Sequence, residues 1–458
     1  MFIKAMLVFF LLMPQLATTE NKIIDLDTFI KTALEKDDHF QTILINQLAI
    51  KYNKDLKLPP QALITNIKSQ YGTSIDQNNN GINSTISLEK LFRNSGTTVS
   101  TTYNNVNYST NAQGRDSLSL SISQDIAKNA FGKMIRKETT MIGMENEVME
   151  YQAIEAYEDY LSSLLFSYQD WYLAYQNKIT SESFLINAQK QEANIKARWK
   201  KNIANKIEMD KMTLQTLSRK ELFLSSKSIY SSKLLQIKEI MRDNSKLDYE
   251  PKEAFKYIDK NISFDEDFNF FTLNARTFKI LTLLEKSQNT QLSYNIDDLL
   301  PSAQILIDST ISSPDGIFNN QNTKSFYTGF TLSYPFGDSQ KRAKIAISRL
   351  ELKKTQLTIT EKQSSLRSQL YELYNSILEK KEQRELIKQK IVSADNIYKE
   401  EEKNYNQGRS KINDLISAGN DLESYRFALL STEVTLNKLV IEWLRITDKL
   451  IEKINQDS

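Results

Sequence analysis

The chain has 458 residues, with 59 Lys and Arg against 57 Asp and Glu, no cysteine and one histidine, His39. The charge balance leaves no electrostatic footprint for nucleic acid, and the missing thiols exclude disulfides, thiolate metal sites and a lipidated N-terminal cysteine. A lone histidine is a poor endowment for acid–base or metal chemistry, so the composition argues against an enzyme, while 11 Gly and 7 Pro suit long unbroken helices.

Residues 1–19 read as a secretory signal: Lys4 supplies the charged start, Ala5 to Met13 the apolar run, and Ala17-Thr18-Thr19 the small residues for cleavage. The run is short of the roughly 20 residues that a helical span needs. No later window is long and apolar enough to cross a membrane as a helix, so a membrane-embedded form must be a barrel.

The first element predicted is a helix over 25–56, with Leu26, Phe29, Ile30, Ala33 and Leu34 on one face, ended by Pro59 and Pro60. Strand-like text follows in 62–71, 82–91 and 97–108, with turns at 76–81 and 111–116. Residues 117–123 give the clearest strand: Leu118, Leu120 and Ile122 face one way and four serines the other. That alternation fits the wall of a water-filled barrel and also a sandwich strand with one wet face. A helix over 132–200 would be on the order of 100 Å long. A break at 201–205 precedes a second helix over 208–241, and 244–269 reads as a connector.

The order then repeats. A helix over 270–294 stops at Leu299-Leu300-Pro301, strands follow over 303–310 and 325–334 with a turn at 313–316, and a long helix runs over 339–404 to a break at Gly408. In the second strand Phe326, Thr328, Phe330, Leu332 and Tyr334 share a face. The last helix carries an unbroken three–four seam from Leu415 through Leu422, Leu429, Leu436 and Trp443 to Leu450, which demands helical neighbours. Asn202 answers Gly408, and Glu208-Met209 answers Asp414-Leu415. Asn tolerates positive φ, so both breaks are expected to reverse the chain alike. The division is a signal (1–19), a first repeat (20–243), a connector (244–269), a second repeat (270–452) and a tail (453–458).

This order resembles the outer-membrane efflux protein family, the TolC-like channels. Tyr405-x-x-Gly408-x-Ser410-x-x-x-Asp414-Leu415 is similar to the family's tip before its last helix, and Ser333-Tyr334-Pro335-Phe336-Gly337 to its strand-to-helix junction. The stretches Gly96-Thr97-Thr98-Val99 and Leu120-Ser121-Ile122-Ser123-Gln124 resemble members with an enlarged first strand region. Departures are Asp125 where the family usually has proline, Asn202 in place of glycine, and a first strand region much longer than the second. The resemblance implies a mainly helical protein with β structure: a homotrimer whose protomers each lend four strands to one twelve-stranded transmembrane barrel. It further implies a coiled-coil tunnel across the periplasm, a periplasmic adaptor (membrane fusion) protein docked on the helical tips, and an inner-membrane pump, ABC or proton-driven. The implied function is the outer-membrane exit duct of a tripartite efflux or type I secretion system in a Gram-negative bacterium, with no cofactor. The alternative is a periplasmic coiled-coil structural or adaptor protein without a pore.

The site candidates follow. Leu118, Leu120, Ile122, Phe330 and Leu332 are expected toward outer-membrane lipid. By resemblance Asp414 contributes to a carboxylate ring that favours cations; it also reads as a first-turn Asp stabilised by the helix dipole. Tyr405 matches a family residue that holds the entrance shut, and also suits plain packing. Arg409 either pairs across protomers or is a solvated tip charge. Asn202, Ala204, Gly408 and Ser410 are the tip positions for adaptor contact, or simply turn the chain. His39 beside Asp37 and Asp38 reads as solvated rather than metal-binding, and Trp171 and Trp199 as packing.

Overall fold

The computed structural model describes residues 22–58, 62–74, 79–108, 115–245, 247–252, 262–314, 317 and 322–451. The expected signal and tail lie outside the described residues, as do Pro59 and Pro60 and parts of the connector and of the three turns between strands. In chain order the elements are β1 (Lys22–Ile24), α1 (Leu26–Lys36), α2 (Asp38–Lys57), β2 (Ile64–Ser74), β3 (Asn79–Phe92), β4 (Thr97–Tyr108), β5 (Arg115–Asp125), α3 (Lys133–Lys200), α4 (Lys206–Ile240), β6 (Tyr249–Pro251), α5 (Phe264–Asn274), α6 (Arg276–Asp298), β7 (Ser302–Ser313), β8 (Thr323–Ser333), α7 (Ser339–Asn406) and α8 (Ile412–Ile446). The halves repeat in length as well as order: α3 and α7 each have 68 residues, α4 and α8 each 35, and α1 and α5 each 11.

Three predicted helices need correction. The helix expected over 25–56 is two, because Asp37 is extended (φ −75°, ψ 122°) and its carboxylate is engaged by the His39 N–H at 3.0 Å and the Tyr160 hydroxyl at 2.7 Å. A short acidic side chain that offers its own hydrogen bonds competes with helix continuation. The helix expected over 270–294 likewise splits at extended Ala275 (φ −59°, ψ 136°), and α5 begins at Phe264, inside the expected connector. The seam helix stops at Ile446, since Asp448 takes φ 59°; Leu450 lies past that reversal yet is fully buried.

The chain forms two compact units. The first holds the described residues of Met1–Ile43, Ala156–Phe268 and Gln369–Ser458. Its core is aromatic: Phe29, Tyr168, Trp171 and Trp443 are buried, and the Tyr168 ring meets Trp171 edge-on at 5.6 Å. Burying such rings supplies most of the driving force, and each polar atom then needs a partner. Tyr168 donates to the Ile24 carbonyl at 3.0 Å and Trp443 Nε1 to Asp267 at 3.0 Å. The seam positions Leu415, Ala418, Leu422, Leu436 and Trp443 are buried. From Val434 onward Val440, Ile441 and Leu444 are buried too, a wider stripe than a heptad seam.

The second unit holds the described residues of Leu44–Glu155 and Asn269–Ser368. Its sheet is antiparallel in the order β2-β3-β4-β5-β7-β8. The resemblance implied four strands per protomer; six are described, because the enlarged first region forms two hairpins instead of one. Directly paired residues of an antiparallel sheet share a face, so the register assigns both faces. One row reads Asn66, Ser87, Thr102, Ser119, Thr310, Ser325; its neighbour on the opposite face reads Ile67, Ile86, Tyr103, Leu118, Ile311, Lys324. The extra hairpin continues the apolar face of β5 through Ile67, Tyr71, Ile82, Ile86 and Leu88, interrupted by the Ser69–Ser84 pair and Lys90.

The turn between β3 and β4 is locked to the junction between β5 and α3. Gly96 (φ 64°) and Gly132 (φ 74°) meet so closely that a Cβ on Gly96 would lie 2.6 Å from the Gly132 nitrogen. Around them Gln124 donates to the Ser95 carbonyl at 3.0 Å and Arg136 to the Asn94 carbonyl at 2.7 Å. Asp125 accepts from the Asn129 amide at 3.1 Å, while the Asn129 oxygen accepts the Met134 N–H at 3.0 Å. The aspartate at the usual proline position thus holds the side chain that caps α3. The junction is also charged. Asp297 meets Lys137 at 2.5 Å and Lys133 at 3.1 Å, and Asp298 meets Lys128 and Lys341. Burial pushes the Asp297 carboxyl up, but Lys137 and Lys133 outweigh it and hold the group below its ordinary value.

Two outcomes follow. Gly96→Ala must clash with backbone and adopt a disfavoured φ, so it should cost about 2 kcal/mol or more, whereas Gly143→Ala, with nothing within 4 Å of the added Cβ, should gain about 0.5–1 kcal/mol; urea midpoints in detergent micelles measure both. A carboxyl whose folded value is depressed contributes stability above its unfolded value and loses it as pH falls through the carboxylate range. The urea midpoint should therefore fall between neutral pH and about pH 3, and less steeply in Asp297→Asn.

Candidate functional site: the paired helix tips

Two helix reversals, between α3 and α4 and between α7 and α8, lie in the first unit. They have the same backbone. Asn202 takes φ 56° and Gly408 φ 77°. In each, the next residue donates back to the helix, Ile203 N–H to the Arg198 carbonyl at 2.9 Å and Arg409 N–H to the Asn404 carbonyl at 2.8 Å. Asn202 and Gly408 themselves donate to the Trp199 and Tyr405 carbonyls at 2.9 and 3.0 Å. This is the Schellman pattern, which satisfies the last carbonyls of a helix and needs a left-handed residue.

The following helices start alike as well. Asn205 caps α4 by accepting the Glu208 N–H at 2.9 Å, and Glu208 returns to the Asn205 N–H at 3.1 Å. At the matching place in α8 the Asp414 carboxylate accepts the Lys411 N–H at 3.3 Å. Asp414 thus stands where its helix-start reading puts it, and its side chain is exposed.

The two tips share a core of Ala188, Ile195, Ala204, Met212, Tyr405, Ile412 and Leu415. Tyr405 is 5% exposed, and its hydroxyl has no partner among the described residues. The Arg198 guanidinium lies 5.0 Å over its ring and donates to the Tyr405 and Asn406 carbonyls at 3.4 Å. Burial pushes the Tyr405 phenol above its ordinary value, and Glu208 adds to this. Farther along, Lys211 donates to Asn413 at 3.0 Å, Gln191 donates to Tyr398, and Arg219 pairs with buried Glu423.

Of the tip candidates, Asn202, Gly408 and Arg409 are exposed, Ser410 is half-buried and Ala204 is buried in the shared core. Ile203 and Ile207, which the sequence reading passed over, are 63% and 65% exposed beside Asn202. Their counterparts in the second tip are Arg409 and Asn413, so one tip presents aliphatic carbon where the other presents polar groups. An isoleucine pair flanking a reversal is the signal that was available. Elsewhere, Leu118, Leu120, Ile122, Phe330 and Leu332 fall on one face of the sheet. His39 lies against Tyr160 with ring centroids 5.6 Å apart. Trp171 is buried, and Trp199 is 37% exposed. No group of three or more metal-binding side chains occurs among the described residues.

The left-handed residues carry the tip geometry at unequal cost. Gly408→Ala meets open space, so its penalty is the backbone term alone, about 1–2 kcal/mol. Asn202→Gly relieves the same term and should leave stability unchanged or raise it by up to about 1 kcal/mol. Urea midpoints of the two variants should move in opposite directions or, at most, in one case not move.

The family model described as outer membrane efflux protein matches residues 283–436, from α6 to α8. No curated protein sequence matches the chain. Among solved structures, the outer-membrane channel OprN superposes with a TM-score of 0.70 at 10% identity, covering 92% of this chain and 89% of OprN. The outer membrane protein VceC of Vibrio cholerae gives 0.68 at 10% identity, covering 92% and 95%. The CmeC outer membrane channel of Campylobacter jejuni gives 0.67 at 14% identity, covering 93% and 86%. Similarity at this level of identity is similarity of fold over nearly the full length of both chains. Residues 283–436 thus match the outer membrane efflux protein family, and over nearly its full length the chain has the fold shared by these outer-membrane channel structures.

Proposed function

We propose that the protein is the outer-membrane exit duct of a tripartite efflux or type I secretion system. The observation that carries this reading is the two-faced sheet. No described helix is long and apolar enough to cross a membrane, yet Ile67, Tyr71, Leu120, Phe326, Phe330 and Leu332 stand exposed on a single sheet face. Its other face is mostly hydroxyl and amide groups, as a wall between lipid and water requires. A channel of this kind does no chemistry of its own; an inner-membrane pump, ABC or proton-driven, supplies the energy, and the chain works without a cofactor.

In this reading three copies assemble in the outer membrane of a Gram-negative bacterium, with their helices forming a tunnel into the periplasm. Leu118, Leu120, Ile122, Phe330 and Leu332 meet lipid. A periplasmic adaptor docks on the tips at Asn202, Gly408 and Ser410, with Ile203 and Ile207 as apolar anchors and Ala204 supporting them from the core. Asp414 and Arg409, both exposed, border the entrance, where three Asp414 carboxylates favour cations. Tyr405 contributes to closure by holding the hairpins together under Arg198 and not through its hydroxyl.

The experiment is a membrane fractionation followed by bilayer recording. A heat-modifiable, SDS-resistant trimer in the outer membrane is the expected result; a freely soluble periplasmic monomer would instead mean a coiled-coil structural or adaptor protein without a pore. In planar bilayers the trimer should prefer cations. Asp414→Ala should lose that preference, while Tyr405→Phe should keep wild-type conductance. Unchanged selectivity in Asp414→Ala would leave Asp414 as a helix-start residue only.

A further inference from the structure

We propose that the outer-membrane wall of this protein has eighteen strands, six from each of three copies, and so encloses a wide aqueous lumen. The inference rests on the trimeric duct proposed above and adds the extra hairpin β2–β3 to its wall.

Four observations place that hairpin in the wall. First, it is fully paired: β2 matches β3 over Ile64–Ser74 and β3 matches β4 over Gly81–Phe92, ladders as long as those of β5 with β7 and β7 with β8. An external loop needs no such register. Second, the faces continue. Ile67, Tyr71, Ile82, Ile86 and Leu88 fall on the face of Leu118 and Leu120, while Asn66, Lys68, Thr85 and Ser87 fall on the face of Ser117 and Ser119. A one-residue slip would reverse every one of these side chains, so the agreement specifies burial of that face in lipid.

Third, the turn from Arg93 to Gly96 packs on Gly132 at the start of α3. That contact brings β3 and β4 to the same level as the end of β5, the place where the wall passes into helix. Fourth, the sheet is built to be continued. Its edge strands β2 and β8 have 11 residues each, and with six antiparallel strands they run in opposite directions. The β8 edge of one copy can then pair antiparallel with the β2 edge of the next. Unpaired edges of that length cannot face hydrocarbon, and three such joints close the ring.

The consequence is width. Barrel diameter grows roughly linearly with strand number, so eighteen strands give a lumen about half as wide again as twelve. The polar face carries Lys68 and Arg115 against Glu89, Asp308 and Asp125 over its paired rows. Four of these charges balance, and Asp125, held by Asn129 where β5 passes into α3, leaves one net negative charge per copy.

The absence of cysteine permits a direct test with single-cysteine variants of the full chain in liposomes, labelled by a bulky water-soluble maleimide. Lys68→Cys and Ser87→Cys should react. Ile67→Cys and Ile86→Cys should lose labelling until SDS and heat unfold the protein. Ser119→Cys and Leu118→Cys, on β5, report the duct reading itself. Alternation on β5 together with uniform reactivity on β2 and β3 would overturn the eighteen-strand wall and leave the duct intact; no alternation on β5 would sink the duct. The native mass of the complex fixes the copy number, and two chains instead of three would overturn the count. Any single β2 variant that fails to give the heat-modifiable species is replaced by the residue four positions on along the same face, Tyr71→Cys for Ile67→Cys or Gly72→Cys for Lys68→Cys.

Discussion

Along β2 and β8 the backbone N–H and C=O groups have strand partners on one side only. In hydrocarbon each unsatisfied group costs several kcal/mol, more than any single apolar side chain on those strands returns. The exposed sheet face and the open edges therefore pose conflicting demands on a single chain: the face asks for lipid, and the edges forbid it. In the proposed assembly, edge-to-edge pairing between chains meets both. The helices pose the same demand more weakly, since Ile347, Leu350, Leu357, Leu386 and Ile397 of α7 stand exposed. Self-association is the cheapest way for either surface to leave water or satisfy its backbone.

Within the second unit, the glycine contact at Gly96 and Gly132 is what lets a larger sheet coexist with a compact strand-to-helix junction. Any side chain there would push the β3–β4 turn off α3 by more than the packing can absorb. Asp125 takes part in the same solution. Proline would fix the direction of the chain through its own ring, whereas Asp125 fixes it by holding Asn129, which caps α3. The departure from the family pattern is thus a different local chemistry for a similar turn.

The tips show what duplication conserves and what it releases. Backbone geometry is common to both, down to the left-handed residue and the two return hydrogen bonds, because the carbonyls at a helix end must be satisfied in either copy. Surface chemistry is not common: Ile203 and Ile207 in one copy stand where Arg409 and Asn413 stand in the other. In the proposed docking, an adaptor that engages both tips meets one apolar and one polar surface.

Much of this was legible in the chain. The long helices follow from the scarcity of Gly and Pro, and the seam from three–four spacing. The reversals at Asn202 and Gly408 follow from the two residue types that best tolerate positive φ, and the facing of β5 from strict alternation. These are local properties, fixed within a turn of helix or a few strand residues. The breaks at Asp37 and Ala275 were not legible, since neither residue is a strong helix breaker; Asp37 stays extended because Tyr160, 123 positions away, holds its carboxylate. Nor could spacing decide whether 62–108 makes a loop or a wall, because apolar residues there alternate only weakly and acquire a common face through pairing with β5. Burial of Tyr405 and Ala204 in one core, and exposure of Ile203, also depended on how the two hairpins meet. The sequence determined which segments are helices and strands; tertiary structure alone decided which of their residues face one another, because pairing and burial are set by partners far away in the chain.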